Sequence, residues 1–306
     1  MKKIISCLVL SCLVHGQIFA YGLRSVNLGV TNFLDGGPLR PRSGWYWVNY
    51  SQYYVAHTFL DANGQLLGGV ESPHYNAVAN INQFLYESPQ RILGARCGFD
   101  AVVSLVLLSR IQDNMLGFSS SGAGWTDFRF DVYLQWDPVF YHGRAIYVNN
   151  IDFGVVFPTG KQELPCHTIN PGSKTYAINP YWAATVYLTQ DWTIAWRLYY
   201  LWETENPITH VQPGDAIHMN YSTECKVTEH FHVGINGYYL QQLHDNRLNG
   251  ITVPNSRERV VGLGPGAIYF VPNERELVIL LHTYGEFHVL NRPQGANFVL
   301  QIIKYF

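Results

Sequence analysis

Outside its N-terminal leader, this sequence has few charged residues and no long apolar segment. Charged residues make up 14% of its 306 residues and no Lys/Arg-rich run occurs, which excludes a nucleic-acid partner and a disordered chain. After residue 20 no apolar stretch approaches the ~20 residues that a transmembrane helix needs. A mature protein that lies in a membrane would therefore cross it as β-strands. The length suits one large domain or two small ones, and we expect no cofactor.

Cysteine is also scarce, and part of it lies in the leader. Two lysines precede an apolar run and a cleavage site that ends at Ala20, so we predict a signal peptide over residues 1–20. A lipoprotein processing site at Cys12 is the alternative. An odd number of cysteines in the mature, exported chain excludes a disulfide framework. Those that follow the leader are Cys97, Cys166 and Cys225.

Aromatic residues are abundant, at 15% of the chain, and they follow the period of a β-strand. In DWTIAWRLYYLWETE, residues 191–205, bulky apolar side chains occupy every second position. Trp192 and Trp202 share one face and, at ~3.3 Å per residue and ~40° tilt, lie roughly 25 Å apart along a membrane normal. This is the height of the apolar belt of an outer-membrane barrel. We therefore predict that the tryptophans face lipid, while Arg197 and Glu203 face a lumen.

The same alternation predicts an all-β fold, a transmembrane antiparallel β-barrel of about 12 strands (10–14 fit the pattern) over residues 44–306. The connections alternate between long and short, as expected for short periplasmic turns and long extracellular loops. Both chain termini are expected on the periplasmic side. The predicted strands are 44–60, 76–86, 92–111, 125–137, 143–158, 175–189, 191–203, 215–227, 230–243, 258–271, 276–288 and 296–306.

The two ends of the mature chain carry further signals. Phe306 closes an alternating strand, a pattern typical of what the barrel-assembly machinery recognises, although Lys304 departs from it. We therefore expect the Gram-negative outer membrane as location, with its lipid and the barrel-assembly machinery as partners. Residues 21–43 contain Gly36-Gly37, Pro38 and Pro41 and suit a non-strand conformation. This segment is expected to be either periplasmic or a plug in the lumen.

Several stretches resemble one known family, and they follow its order along most of the mature chain. They are GWYWVNYSQYY (44–54), DFGVVFPTGK (152–161), YAINPYWAATVYLTQDW (176–192), TENP (204–207), GINGYYLQQLHD (234–245), VVGLGPGAIYF (260–270) and NRPQGANF (291–298). The family is the exported outer-membrane β-barrel group labelled "putative meta-pathway of phenol degradation", which is described as transporter-like. The resemblance implies a barrel that moves hydrophobic or aromatic compounds.

Charged and aromatic side chains on the predicted inward faces are candidates for lining a solute path. Such charges can also satisfy one another across the barrel, and the two roles are compatible. The predicted inner faces are partly apolar, so we expect them to favour a small hydrophobic or aromatic solute over ions. The candidate lining residues are Asp100, Arg110, Arg129, Asp131, Arg144, Arg197, Tyr199, Glu203, His218 and Tyr238.

Other functions have weaker support in the sequence. A barrel enzyme acting on lipid or peptide would need a nucleophile and a base near the outer loops, and the residues available there show no recognisable spacing. His230 and His232 share a strand face, but no third metal ligand is evident. GLGPG at 262–266 has no helix after it, which favours a glycine-kinked strand over a nucleotide loop. A non-conducting structural barrel is the third alternative. The loop candidates for catalysis are His244, Asp245, His210, Asp215 and Ser119–Ser121.

Overall fold

The computed structural model describes residues 23–24, 26–38, 42–67, 73–113, 116–163, 168–272 and 277–306. Within these ranges the chain forms a closed antiparallel β-barrel of 12 strands, which confirms the predicted fold. Among the described residues, no helix is long and apolar enough to cross a membrane. The predicted signal peptide and Cys166 lie outside the described residues, whereas Cys97 and Cys225 are free thiols.

Each wall strand pairs with the next one in the chain, and the last pairs with the first. This closure runs from Tyr46 opposite Tyr305 to Phe59 opposite Pro293, so the sheet has no free edge. A closed sheet satisfies every wall strand's backbone hydrogen bonds within the protein, as lipid surroundings require. The strands are β1 Gly44–Phe59, β2 His74–Ile92, β3 Ala95–Gln112, β4 Phe128–Gln135, β5 Arg144–Phe157, β6 Tyr181–Tyr187, β7 Trp192–Glu203, β8 Ala216–Lys226, β9 Phe231–Gln242, β10 Arg259–Phe270, β11 Leu277–Leu290 and β12 Pro293–Tyr305.

Short pieces of strand extend this wall and its loops. Gly124–Trp125 pairs with β3, Val139–Tyr141 with β5, and Ala177–Ile178 with both β5 and β7. Two small sheets lie within the long connections. They consist of Ser119–Ser120 with Thr168–Ile169, and of Val211–Gln212, Arg247–Leu248 and Ile251–Thr252.

The two ends of the barrel differ in their connections. At the short-turn end, strands are joined by turns such as Leu93–Gly94 and 227–230, and the chain ends there at Phe306. At the long-loop end, connections such as 204–215 and 243–258 are long. The predicted alternation of long and short connections fails once. Strands β11 and β12 are joined by Asn291 and Arg292 alone instead of by a loop over 289–295. Pro293 suggested a loop, but a proline is compatible with the first position of a strand.

Two other predicted boundaries are wrong for similar reasons. Strand β2 was expected to end at residue 86 but continues to Ile92, because Pro89 lies in a register irregularity where its missing N–H leaves no ladder bond broken. The turn that follows has positive φ at both Leu93 and Gly94 (52° and 78°), which is a type I′ pattern. The strand predicted over 175–189 is interrupted at Asn179-Pro180, since Pro180 cannot donate to the ladder.

Strand β7 shows which chemistry each face of the wall carries. Trp192 and Leu198 are 49% and 40% exposed, whereas Ala195 and Tyr199 are 1% and 2% exposed. Trp196 is less exposed than its outward neighbours because it packs edge-on against Trp182, with ring centroids 5.3 Å apart. The bulky apolar face therefore points outward, as a transmembrane barrel requires.

A filled lumen as the candidate functional site

Residues 23–24 and 26–38, here called the lumen segment, cross the interior of the barrel. They start near the long-loop end, where the Leu23 amide donates to Glu258 Oε1 at 2.9 Å. The chain leaves at the short-turn end, where the Arg42 guanidinium lies 5.6 Å from the Tyr305 ring centroid. The described chain thus begins at the end of the barrel opposite Phe306, contrary to the expectation that both termini share one side. The reason is that the chain crosses the lumen once before β1.

Arg24 fixes the start of this path. Its Nε donates to Glu203 Oε2 at 2.9 Å, its Nη1 lies 3.4 Å from Asp127 Oδ2, and its Nη2 donates to the Thr175 carbonyl at 2.7 Å. Arg24 and Glu203 are both buried. The candidate Glu203 therefore faces the interior but pairs with the N-terminal segment instead of with Arg197 on its own strand.

A second buried ion pair holds the far part of the lumen segment. Arg197 Nη2 lies 2.9 Å from Asp35 Oδ1, and its guanidinium lies 4.6 Å from the Tyr181 ring centroid. The neighbouring backbone is held as well, because Asn150 donates to the Asp35 carbonyl at 3.1 Å and the Gly36 amide donates to the Thr185 hydroxyl at 2.9 Å. Wall charges are thus neutralised by charges of the segment.

Between the two ion pairs, the segment is held by neutral hydrogen bonds. Asn27 Nδ2 donates to the Tyr199 hydroxyl at 2.8 Å, and Asn220 both accepts from the Gly29 amide at 3.0 Å and donates to Asn27 at 2.9 Å. The Tyr284 hydroxyl donates to the Gly29 carbonyl at 2.8 Å. Gly29 has a φ of +73°, and a Cβ there would lie 2.6 Å from the Tyr284 ring. Only glycine fits this close approach.

Phe33 occupies a slot in the wall that two glycines create. Gly234 and Gly266 are paired across β9 and β10. A Cβ at either position would lie 2.8 or 2.6 Å from a Phe33 ring atom. On the next strand, His282 stacks on the Phe33 ring with centroids 5.4 Å apart. The end of the GLGPG stretch thus makes room for an aromatic ring.

We expect Gly266→Ala to lower the free energy of unfolding by about 1–3 kcal/mol, because the added methyl overpacks the slot. Urea titration in lipid vesicles measures this. Gly285→Ala is the matched control, since nothing lies within 4 Å of a Cβ there. In a Phe33→Ala background part of the cost should disappear, although Asn236 Oδ1 still lies 2.4 Å from the new methyl. Equal losses at Gly266 and Gly285 would contradict the slot.

The wall around β3 to β5 carries a cluster of buried acids. Ligand oxygens of Asp100, Asp131 and Asp152 lie within 4.8 Å of one another. Arg129 compensates part of this charge, with its Nε 2.7 Å from Asp131 and its Nη2 3.4 Å from Asp152. Gln83 donates to Asp100 at 2.9 Å. Carboxylate oxygens suit a hard cation, but the Arg129 guanidinium already forms ion pairs with two of the three carboxylates, those of Asp131 and Asp152.

Three other candidates face the interior without carrying net charge. His218 is fully buried and stacks on Tyr199 with ring centroids 4.2 Å apart, while its Nε2 lies 3.2 Å from Asn179 Nδ2. Tyr238 is also fully buried and donates to Glu286 Oε1 at 2.8 Å. These aromatic side chains line the lumen and fix its shape.

Two candidates do not take part in the lumen contacts. Arg110 is exposed and faces outward, because the register shift opposite Val78 and Ala79 makes Leu107 an extra residue and reverses the faces of β3 beyond it. Arg144 lies at the short-turn end, where its Nη1 donates to the Leu188 carbonyl at 3.2 Å. Periodicity alone could not reveal the bulge. Arg24 and Asp35 were missed because they lie outside every predicted strand.

The loop histidines do not form a recognisable catalytic set. His244 Nδ1 lies 3.5 Å from Asp215 Oδ2, which already accepts from the Tyr200 hydroxyl at 2.7 Å. His210 faces Glu205 at 3.1 Å instead of Asp215. None of the residues that line the adjacent depression is a Ser, Thr or Cys that could act as a nucleophile. They are Trp202, Gln212, Pro213, Gly214, Asp215, His244, Asp245 and Arg247.

Comparison with known proteins shows which solved structures share this fold and which family the chain belongs to. No curated protein matches the sequence. The COG4313 outer membrane channel from Pseudomonas putida F1 is similar over 87% of this chain and 97% of that chain, with a TM-score of 0.74 and 13% identity, which shows a shared fold. The translocator domain of the autotransporter NalP from Neisseria meningitidis is similar over 87% and 90%, with a TM-score of 0.48 and 10% identity. The family model described as "Putative MetA-pathway of phenol degradation" matches residues 56–302, and the chain belongs to that family.

Proposed function

We propose that this protein is a non-catalytic outer-membrane channel for small hydrophobic or aromatic compounds, and that the lumen segment is its gate. The observation that carries the proposal is the slot formed by Gly234, Gly266 and His282, which holds the phenyl ring of Phe33. A wall that accommodates this ring can accommodate an aromatic solute of similar size once the segment leaves. In the closed state, the Phe33 ring therefore occupies the site that an aromatic solute would use.

The remainder of the lining supports the same solute class. Near Leu28 the wall is apolar and aromatic over a continuous cluster, so an apolar molecule loses little on leaving water there, whereas an ion would lose its hydration. The family description, which concerns phenol degradation, agrees with this solute class. The outer-membrane channel among the similar structures agrees with an outer-membrane location. The cluster consists of Leu60, Tyr238, Leu240, Val260, Tyr284 and Val289.

The way the segment is attached supports its role as a gate. It precedes β1, which begins at the short-turn end, and it is held by hydrogen bonds, by the Arg24 and Asp35 ion pairs and by the packing of Phe33 in its slot. Water can replace all of these polar contacts when the segment leaves. Until then, the segment fills the path and neutralises inward charges of the wall.

Conductance and uptake test this function together. In planar bilayers we expect deletion of residues 23–38 to raise the conductance of single barrels, because the lumen is then open. A strain lacking the protein should take up aromatic solutes more slowly, and the wild-type gene should restore uptake. The hypothesis fails if uptake of aromatic and fatty solutes is unchanged while uptake of sugars or ions falls. A barrel that stays closed after the deletion would show that the segment is not the gate.

A further inference from the structure

Three buried acids on neighbouring wall strands face one another inside the barrel. We call Asp100, Asp131 and Asp152 the aspartate cluster, and they lie on β3, β4 and β5 in turn. Asp100 and Asp131 are direct partners in the ladder, a position in which like charges repel. All three residues are buried. Carboxylates held this close together and away from water need compensating positive charge.

Arg129 supplies only part of that compensation. Its Nε donates to Asp131 Oδ2 at 2.7 Å, and its Nη2 lies 3.4 Å from Asp152 Oδ1. The guanidinium also donates to Asn179, from Nη1 to Oδ1 at 2.7 Å and from Nη2 to the carbonyl at 3.2 Å. Within the part of the chain that the structure describes, no other cationic side chain forms an ion pair with the cluster. When ionised, three carboxylates and one guanidinium leave two negative charges without a partner.

Each carboxylate of the cluster keeps one oxygen that no described residue serves. Gln83 donates to Asp100 Oδ1 at 2.9 Å, and the guanidinium pairs with Asp131 Oδ2 and Asp152 Oδ1. The second oxygens are buried and accept no hydrogen bond from the described residues; they are Asp100 Oδ2, Asp131 Oδ1 and Asp152 Oδ2. Asp131 Oδ1 points across the ladder to β5, since it lies where a Cβ of Gly154 would be. Buried oxygens without a donor are costly, so these atoms point to a ligand.

The spacing of the cluster suits an ion of the size of calcium. One oxygen from each carboxylate lies within 4.8 Å of the other two. Oxygen ligands bind Ca²⁺ at about 2.3–2.6 Å, so two ligands on opposite sides of the ion are about 4.6–5.2 Å apart. The corresponding separation for Mg²⁺ is about 4.2 Å, and its octahedral geometry is stricter. Carboxylate oxygens also favour a hard cation over zinc or copper.

We propose that the aspartate cluster binds one Ca²⁺ ion inside the barrel wall. The two charges of the ion balance the two that Arg129 leaves, and the three second oxygens become its ligands. Gln83 and Arg129 hold the carboxylates in place through their other oxygens, as groups around a metal site do. The ion links β3, β4 and β5 from the interior. Protons held by the carboxyl groups are the competing explanation. This inference does not depend on the proposed channel function.

Metal retention tests the site. The full mature chain is folded in phosphatidylcholine vesicles with Ca²⁺ and passed over a chelating resin, and its calcium content is measured by mass spectrometry. We expect the wild type to retain about one ion per barrel. Retention by Asp100→Asn and by Asp131→Asn should fall about tenfold or more, because each loses a charged ligand. Heat-modifiable gel migration shows that each barrel has folded.

Glu286→Gln is the matched control and should retain calcium like the wild type. Glu286 is also an inward-facing acid, but both of its oxygens are served. Its Oε1 accepts from the Tyr238 hydroxyl at 2.8 Å, and its Oε2 accepts from the Tyr54 hydroxyl at 2.7 Å and from the Gly295 amide at 2.8 Å.

Unfolding in urea gives an independent result. An ion that binds only the folded barrel raises the urea midpoint. We expect Ca²⁺, compared with a chelator, to raise the midpoint of the wild type and of Glu286→Gln but not that of Asp100→Asn. A wild type without retained calcium overturns the proposal, as does equal retention or an equal midpoint shift in all variants. An infrared band of a protonated carboxyl group that disappears in Asp100→Asn would also overturn it, and would assign protons to the cluster.

Discussion

Replacing Asp35 by Ala is expected to raise the ratio of open to closed channel by about 10²- to 10³-fold. While the lumen segment is docked, Arg197 is largely shielded from water and Asp35 is its carboxylate partner, at 2.9 Å. Removing one member of a buried pair leaves an unpaired charge and costs about 3–5 kcal/mol. The lower part of this range, roughly two to three factors of ten, applies here because the Arg197 side chain is 15% exposed. Undocking hydrates Arg197, so the cost falls on the closed state. Single-channel recordings give the open probability directly.

Two further variants show whether the ion pair itself holds the gate. Asp35→Asn keeps the shape and one hydrogen bond but loses the charge, so we expect an intermediate open probability. The double variant Asp35→Leu/Arg197→Leu removes both charges and should return the channel toward the closed state, because no buried charge is left unpaired. A double variant as open as Asp35→Ala, or an Asp35→Ala channel that stays closed, would show that this pair does not lock the segment.

The second large effect concerns the outer face of the wall. Leu198→Arg should lower the free energy of unfolding by about 2–4 kcal/mol, because it places a charge near the middle of the apolar belt. Urea titration in lipid vesicles, followed by tryptophan fluorescence, measures the change. Leu198→Ala is the matched control that removes the side chain without adding charge.

A second arginine variant separates depth from other causes. Trp202→Arg, compared with Trp202→Ala, lies at the edge of the belt and should cost only about 0–1 kcal/mol. Equal costs of arginine at Leu198 and Trp202 would show that β7 does not cross the belt as described. Arginine at Ala195 is a poor comparison for arginine at Leu198. Ala195 is buried against a filled interior, so a larger side chain there would destabilise the protein by overpacking and not by its depth in the membrane.

Most of the wall was predictable from the sequence for a physical reason. Lipid on one side and a packed interior on the other give each face of a strand its own chemistry, so period-2 alternation is strong, as in β7. The pattern fails where the backbone departs from it. The extra residue Leu107 reverses the faces of β3 and moves Arg110 outside, and Pro89 and Pro293 suggested loops where strands continue.

The contacts inside the lumen were less predictable. Arg24 and Glu203 are 179 residues apart in the chain, and the lumen segment has no periodicity that would indicate which wall residues it meets. Inward charges such as Arg197 could be located by alternation, but their partners could not. Phe33 and its slot were missed for the same reason, since a glycine within a strand, such as Gly234 or Gly266, is consistent with a bend as well as with room for a neighbouring ring.

The path of the lumen segment also constrains the order in which the molecule can assemble. The barrel becomes a closed ring only when β12, the last strand made, pairs with β1, which begins at Gly44 and follows the segment in the chain. Moving Arg24 through a finished ring strips its guanidinium of water along the interior before Glu203 and Asp127 can receive it. We therefore expect the wall to close around the segment during assembly, so that the N-terminal residues serve as the template on which the ring is completed. Each later exit or return of the segment has to cross the same desolvation barrier, so we expect opening and closing of the gate to be slow.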